Sequence, residues 1–341
     1  MIIRLVAGLA VALFLTTSAA AKPLVVILAD ARGTVATDLM APYAILAESG
    51  AVEVKVVSAT DRPVRLTPGM AWVRPQMTLA RLAREHPQGP DVVIIPAFSH
   101  DDDPARAAWL REQLRSGARI MSICNGAKAL ASTGLLDGRQ ATVHWYSKGK
   151  VAKTYPDVNW RYDRRWVVDG PITTTAGISA SEPATLDLLR QLAGETVMRD
   201  TARRLRLPLP DPRHDGGDYR LTLRGMGVVV GNKLAFWNRE TVALPLTPGF
   251  DELAFGTALD AWSRTYRSTA WATGAPATTS RHGLVVYRAH AVPKRFDRTA
   301  SLPAPDVMDS TFAGLRSAYG ERTARFVALQ FEHPWGAVSA W

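Results

Sequence analysis

Residues 119–132 read Arg119-Ile120-Met121-Ser122-Ile123-Cys124-Asn125-Gly126-Ala127-Lys128-Ala129-Leu130-Ala131-Ser132. Ile120–Ile123 is a short apolar run of the kind that forms a buried strand. An alanine-rich stretch of good helix formers begins just after Gly126. Strand, sharp turn and helix with a nucleophilic residue in the turn describe a nucleophile elbow. Gly126 supplies the missing side chain that so tight a turn needs. Cys124 then sits at a helix N-terminus, where the dipole and free N–H groups favour a thiolate and can hold a developing oxyanion.

Outward from the elbow, apolar runs and amphipathic stretches alternate. Leu24–Leu28 and Asp91–Pro96 read as buried parallel strands, and Val52–Ser58 as a further strand. Asp38–Glu48 reads as a helix capped by Thr37 or Asp38, and Thr78–Glu85 as a short helix. Pro104–Ser116 reads as a helix with proline in its first turn. Val64–Arg74, broken at Pro68-Gly69, reads as a hairpin-like pair. This alternation predicts an α/β fold, a flavodoxin-like sandwich with a mostly parallel central sheet. Ligands in such sheets bind beyond the strand C-termini, where Cys124 falls.

After the elbow come Gly134-Leu135-Leu136-Asp137-Gly138-Arg139, Ala141-Thr142-Val143-His144-Trp145, Tyr155-Pro156-Asp157-Val158 and Thr174-Thr175-Ala176-Gly177-Ile178-Ser179-Ala180, in that order. Over Leu24 to Asp218 the chain resembles the ThiJ/PfpI family of the class I glutamine-amidotransferase-like superfamily. Within it the resemblance is to isonitrile hydratases and to the amidotransferase-like domain of AraC-type regulators. The resemblance implies a cysteine-centred pocket for a small-molecule ligand, with Cys124 as nucleophile. It implies that Asp38, in Asp38-Leu39-Met40-Ala41-Pro42-Tyr43, is an acid hydrogen-bonded to that cysteine, and that His144 lines the pocket beside Trp145. Asn125, Gly126 and Ala97 are the candidate oxyanion donors, and no cofactor or metal is implied.

Two departures matter. Peptidase-like members carry His where Asn125 stands, which disfavours a peptidase, and glutamine amidotransferase activity is disfavoured as well. Relatives show Pro-Gly-Gly where this chain has Pro96-Ala97-Phe98, so Phe98 is expected to narrow the pocket. Asp101-Asp102-Asp103 more simply caps the helix at Pro104 than binds a metal, since only His100 is at hand. The implied function is a small-molecule hydratase or hydrolase; the alternative is a non-catalytic ligand-binding or redox-sensing domain.

Met1–Ala21 reads as a secretory signal peptide: Arg4, an apolar Leu5–Leu15, and an Ala19-Ala20-Ala21 cleavage site. The expected location is periplasmic or secreted, with no stable membrane insertion after cleavage. The net charge of +10 comes mostly from scattered arginines, and export argues against nucleic acid as the partner. It reads as a solvated surface, at most weakly favouring anionic ligands or envelope surfaces. The single cysteine excludes an intramolecular disulfide and marks a reactive thiol.

The expected layout is a signal peptide at 1–21, the ThiJ/PfpI-like domain at 22–205, a Pro-, Arg- and Gly-rich linker at 206–218, and a smaller α/β domain at 219–341. Glu182–Leu192 and Glu195–Leu205 close the first domain as helices parted at Gly194. Arg220–Trp237 reads as β-like, interrupted by Gly225, Gly227 and Gly231. The remainder reads as a truncated second copy. Asp251 follows Asp38 by 213 residues, Thr279–Tyr287 resembles Arg65–Val73, and Thr311 follows Thr185 by 126. The second copy is thus 87 residues shorter, lacks the elbow, and stands where a dimer partner would. Either a monomer with pseudo-dimeric halves or a homodimer is expected. Gln330-Phe331-Glu332-His333-Pro334 carries a faint likeness to a glutamine-amidotransferase motif in the wrong order and reads as coincidence.

Overall fold

The computed structural model describes residues 21–302 and 306–335. The signal peptide assigned to 1–21 therefore lies, apart from Ala21, outside the described residues. The elements of the first half are β1 (Leu24–Leu28), β2 (Thr34–Val35), α1 (Ala36–Ser49), β3 (Glu53–Ser58), β4 (Val64–Thr67), β5 (Ala71–Val73), β6 (Met77–Thr78), α2 (Leu79–Glu85), β7 (Val92–Ile95), α3 (Pro104–Arg115), β8 (Arg119–Ser122), α4 (Gly126–Ala131), β9 (Gln140–Ala141), α5 (Lys148–Thr154), β10 (Asn159–Trp160), β11 (Trp166–Asp169), β12 (Ile172–Thr175), α6 (Ser181–Ala193) and α7 (Glu195–Leu205). A seven-stranded sheet runs β11-β12-β8-β7-β1-β3-β6, parallel throughout except at β11. Alternate strand residues face opposite layers. Val25, Ile27, Val92, Ile94 and Met121 pack under α1 and α6 on one face. Val26, Leu28, Val93, Ile95 and Ile120 pack with Leu82, Leu110 and Leu130 on the other.

The second half contains α8 (Leu223–Leu234), β13 (Glu240–Leu246), α9 (Glu252–Ser263), β14 (Ser268–Gly274), β15 (Ala277–Thr279), β16 (Val285–Arg288), β17 (Arg298–Thr299) and α10 (Val307–Phe331). Here β13 is flanked in parallel by β14 and β17, as β1 is by β3 and β7. The β15–β16 hairpin pairs antiparallel with β5, so one five-stranded sheet, β15-β16-β5-β4-β2, is shared by both halves. Facing helices α1 and α9 pack together, and Gly256 lies so close to Met40 that a Cβ there would be 2.6 Å from the Met40 Cβ. At the kink inside α10, Gly320 has φ 82 and ψ 165; between α6 and α7, Gly194 has φ 88 and ψ 166. Twelve residues on from each, Glu332 and Arg206 end their helices in the left-handed region, at φ 53 and φ 55.

Two expectations change. Residues 223–234 form a helix, not a strand: Thr222 caps it by accepting the Gly225 N–H, and the apolar residues fall at helical spacing. α1 starts at Ala36 with Val35 as an unbonded N-cap, so neither Thr37 nor Asp38 caps it. The Asp38 carboxyl is used elsewhere.

Candidate functional site

Cys124 stands one residue beyond β8, after Ile123, and adopts φ 55, the left-handed conformation that costs a side-chain-bearing residue about 1–2 kcal/mol. Its N–H donates to Thr175 Oγ1 at 3.1 Å, tying the turn to the next strand. The Gly126 N–H donates to Ile123 O at 2.7 Å and closes the turn. A Cβ on Gly126 would lie 2.2 Å from Ile95 O and 2.9 Å from Pro96 O, both backbone atoms that cannot swing aside. Gly126→Ala is therefore expected to destabilise the protein by about 3 kcal/mol, read as a lowered urea midpoint at unchanged slope; a midpoint equal to wild type would contradict this packing.

The elbow does not give the resting thiolate expected from the helix terminus. α4 is only six residues long, and Cys124 is 4 % exposed. Burial pushes the thiol well above its ordinary value, and the nearby Asp38 charge pushes in the same direction. Arg264 and the Asn125 backbone N–H favour the thiolate but do not prevail.

Asp38 lies fully buried in the first turn of α1. Its Oδ2 accepts the Ala97 N–H at 3.0 Å, while its Oδ1 makes no hydrogen bond. Burial, with Asp260 adding, lifts its carboxyl well above the usual range, against the pull of Ala97 N–H and Arg264. The expected carboxyl–sulfur hydrogen bond is not formed, although a charge on Asp38 would be felt at the sulfur. The Ala97 and Gly126 amides are both occupied, so of the three expected oxyanion donors only the Asn125 N–H is directed at the sulfur. Phe98 packs on the opposite sheet face from Cys124, under the Arg106 guanidinium at 4.4 Å, and does not narrow the site. Asp103 caps α3 through the Arg106 N–H, as the acidic run suggested. Among the described residues no group of three or more His, Cys, Asp or Glu side chains could hold a metal ion.

The other wall comes from the second half. Arg264, at the end of α9, donates from Nε to Asp260 Oδ1 at 2.5 Å and lies over Phe331. Burial alone would lower its pKa; Asp260, by its charge and its hydrogen bond, holds it above the ordinary value. Its side chain keeps 21 % of its surface accessible while Asp260 keeps none. The segment dismissed as coincidence docks here too. Glu332 accepts the Trp145 N–H at 2.5 Å and faces His214 Nε2 at 2.9 Å, and its backbone O accepts from Ser179 Oγ at 2.7 Å. Gly177 makes room for it: a Cβ there would be 2.5 Å from Glu332 Cβ. Burial would raise the Glu332 pKa, but the His214 bond, His144 and the Trp145 N–H bring it below normal. Glu332→Ala is expected to cost about 3–5 kcal/mol by leaving His214 and the Trp145 amide unpartnered inside, measurable as a fall in the unfolding midpoint; a loss under about 1 kcal/mol would show that the contact is not a structural tie.

His144 is buried, with both ring nitrogens engaged. Nε2 lies 2.8 Å from Gln330 O and Nδ1 3.3 Å from Tyr146 N, which assigns the neutral Nε2–H tautomer. Burial lowers its pKa and keeps it neutral. It holds the α10 terminus, as does Trp145, whose Nε1 donates to Leu329 O at 2.8 Å. Asn125 Oδ1 accepts from Ser147 Oγ at 2.6 Å and braces the following segment.

Residues 23–191 match the DJ-1/PfpI family. An isonitrile hydratase from Pseudomonas putida is 30 % identical over 187 residues, covering 53 % of this chain and 76 % of that protein. The HTH-type transcriptional regulator CdhR from Pseudomonas aeruginosa is 36 % identical over 112 residues, covering 33 % of each chain. The chain thus spans about a third of that regulator's length. Drosophila melanogaster DJ-1beta superposes with a TM-score of 0.50 at 20 % identity, over 55 % of this chain and 99 % of that one, a likeness of fold.

Proposed function

Because the chain belongs to the DJ-1/PfpI family, we propose that its Cys124 pocket is that of a hydratase or hydrolase for a small molecule with a polarised carbon–nitrogen bond, isonitrile hydration being the best-supported case. The observation that carries this reading is Asp38 Oδ1, a buried carboxyl oxygen without a partner, on a carboxyl that burial lifts well above its ordinary range and near a buried thiol that burial also pushes up. A neutral acid and a neutral thiol can add across such a carbon without storing charge. Sγ bonds to the isonitrile carbon, the Asp38 proton goes to that same carbon, and the thiol proton refills Asp38. The thioimidate then takes up water, the C–S bond breaks, and an N-substituted formamide leaves with the thiol restored. The net change is addition of one water. The Asn125 N–H and the Arg264 charge favour sulfur as it loses its proton.

The ring nitrogens of His144 are both engaged, so His144 does not serve the sulfur as a base, and this supports leaving peptidase and glutamine-amidotransferase chemistry aside. The second half is read as a degenerate copy in the place of a partner subunit, supported by the shared sheet, the α1–α9 packing and the matching kinks. Nucleic acid is left out of the reading because the region after 218 builds a parallel sheet with α9 and α10. Export through the N-terminal signal belongs to the same proposal.

The test is incubation with a small aryl isonitrile, following the formyl proton of the product by NMR. Catalytic formamide formation that disappears in Cys124→Ser is expected. Saturable binding without turnover would overturn the enzymatic reading and favour the ligand-sensing alternative.

A further inference from the structure

α8 leaves an apolar stripe in solvent. Leu223 is 87 % exposed and Leu234 66 %, with Met226 and Val230 exposed between them. Their spacing of three, four and four residues puts all four along one side of the helix. Arg224 and Lys233 lie on the two flanks of that stripe. From Tyr219 to Arg239 there are four cations, Arg220, Arg224, Lys233 and Arg239, and no carboxylate. α8 is fastened to the body on its far side by Asn232, whose Nδ2 donates to Thr265 O at 2.8 Å, and at one flank by Lys233, whose Nζ stands 4.7 Å over the Tyr266 ring. A groove of about 780 Å³ between α8 and α10 opens beyond the Arg224 flank and is lined there by Arg322 and Arg325, the latter paired with Glu321.

We propose that α8 is an interfacial anchor, seated with Leu223, Met226, Val230 and Leu234 in the headgroup layer of an anionic lipid membrane. An apolar face bordered by basic residues matches the two attractions such a surface offers, apolar burial and negative potential. Among the described residues no helix is long and apolar enough to cross a bilayer, so the helix would lie along the surface. A second copy of this chain is the poorer occupant. A two-fold contact through this face would set Arg224 and Lys233 against their own images, and α8 carries no carboxylate to offset them. The inference is independent of the reaction at Cys124.

Peptide-resolved hydrogen exchange on the full chain tests it, with vesicles of phosphatidylcholine alone or mixed with phosphatidylglycerol. Three glycines weaken α8 in water, so its amides exchange readily when free and protection is easy to read. Exchange over 223–234 is expected to slow at least about fivefold with the anionic vesicles, to slow little with neutral ones, and to recover with salt. The combined change Leu223→Ser, Val230→Ser and Leu234→Ser alters only exposed side chains and should abolish that protection; Arg224→Gln with Lys233→Gln should weaken it several-fold. Because protection is read at α8, membrane binding by residues 1–21 does not imitate it. No protection, equal protection by both vesicles, or protection unchanged in the triple variant would overturn the proposal. So would protection that rises with protein concentration in the absence of lipid, which would assign the face to self-association.

Discussion

Asp38→Asn is expected to cut kcat for isonitrile hydration by at least about 100-fold, the scale of a lost general acid, while leaving the fold in place. Asparagine keeps the shape and an oxygen to accept the Ala97 N–H, but it has no proton to deliver to carbon. The wild-type rate should be level below the raised folded value of this carboxyl and fall as pH rises through it, at a pH above the ordinary carboxylate range. Stability follows the same group. A carboxyl whose folded pKa is raised binds its proton more tightly when folded. Its contribution is fully present below the ordinary carboxylate range and is lost as pH rises through the raised folded value. The Asn variant should therefore show a flatter decline of Tm as pH rises above the ordinary carboxylate range. An Asn variant with wild-type turnover would remove Asp38 from the chemistry.

Arg264→Leu carries the second large effect, on stability and reactivity together. It strands the Asp260 carboxylate, which has no exposure, and one-sided loss of a buried ion pair costs about 3–5 kcal/mol. It also removes the cation that favours the Cys124 thiolate, so alkylation at fixed pH should slow several-fold. Converting both partners, Arg264→Met with Asp260→Leu, should recover most of the stability without recovering the alkylation rate. Denaturant midpoints and iodoacetamide rates measured on the two variants separate these effects. Recovery of both together would mean that Arg264 acts only through packing.

The first half was legible because its signals are local. The apolar runs at 24–28 and 91–96 became central strands, Pro104 stood at the start of α3, and Gly126 sits where a Cβ would collide with the Ile95 and Pro96 carbonyls. What failed locally was α8. The run Val228-Val229-Val230 among three glycines has strand composition, and the helical spacing of Leu223, Met226, Val230 and Leu234 outweighs it. The site's second wall could not be read from any window, because Arg264 and Glu332 reach Cys124 only through the packing of α9 and α10 on the first half. One signal was available for Glu332: a carboxylate directly after Val327-Ala328-Leu329-Gln330-Phe331, a run apolar but for Gln330, needs a buried partner, and His214 is that partner. The thiol's protonation was misjudged for a related reason. A helix terminus is visible in sequence, whereas the burial that overrides it is not.

The account turns on a Cys124 that rests as a neutral thiol beside a neutral Asp38. This chain has a single cysteine, so its S–H stretching band in the infrared belongs to Cys124 alone. The account predicts that the band is present at pH 7, persists above the pH at which an ordinary thiol ionises, and is accompanied by a protonated-carboxyl band that Asp38→Asn removes. Absence of the S–H band at pH 7, with an ionised sulfur in its place, would contradict it.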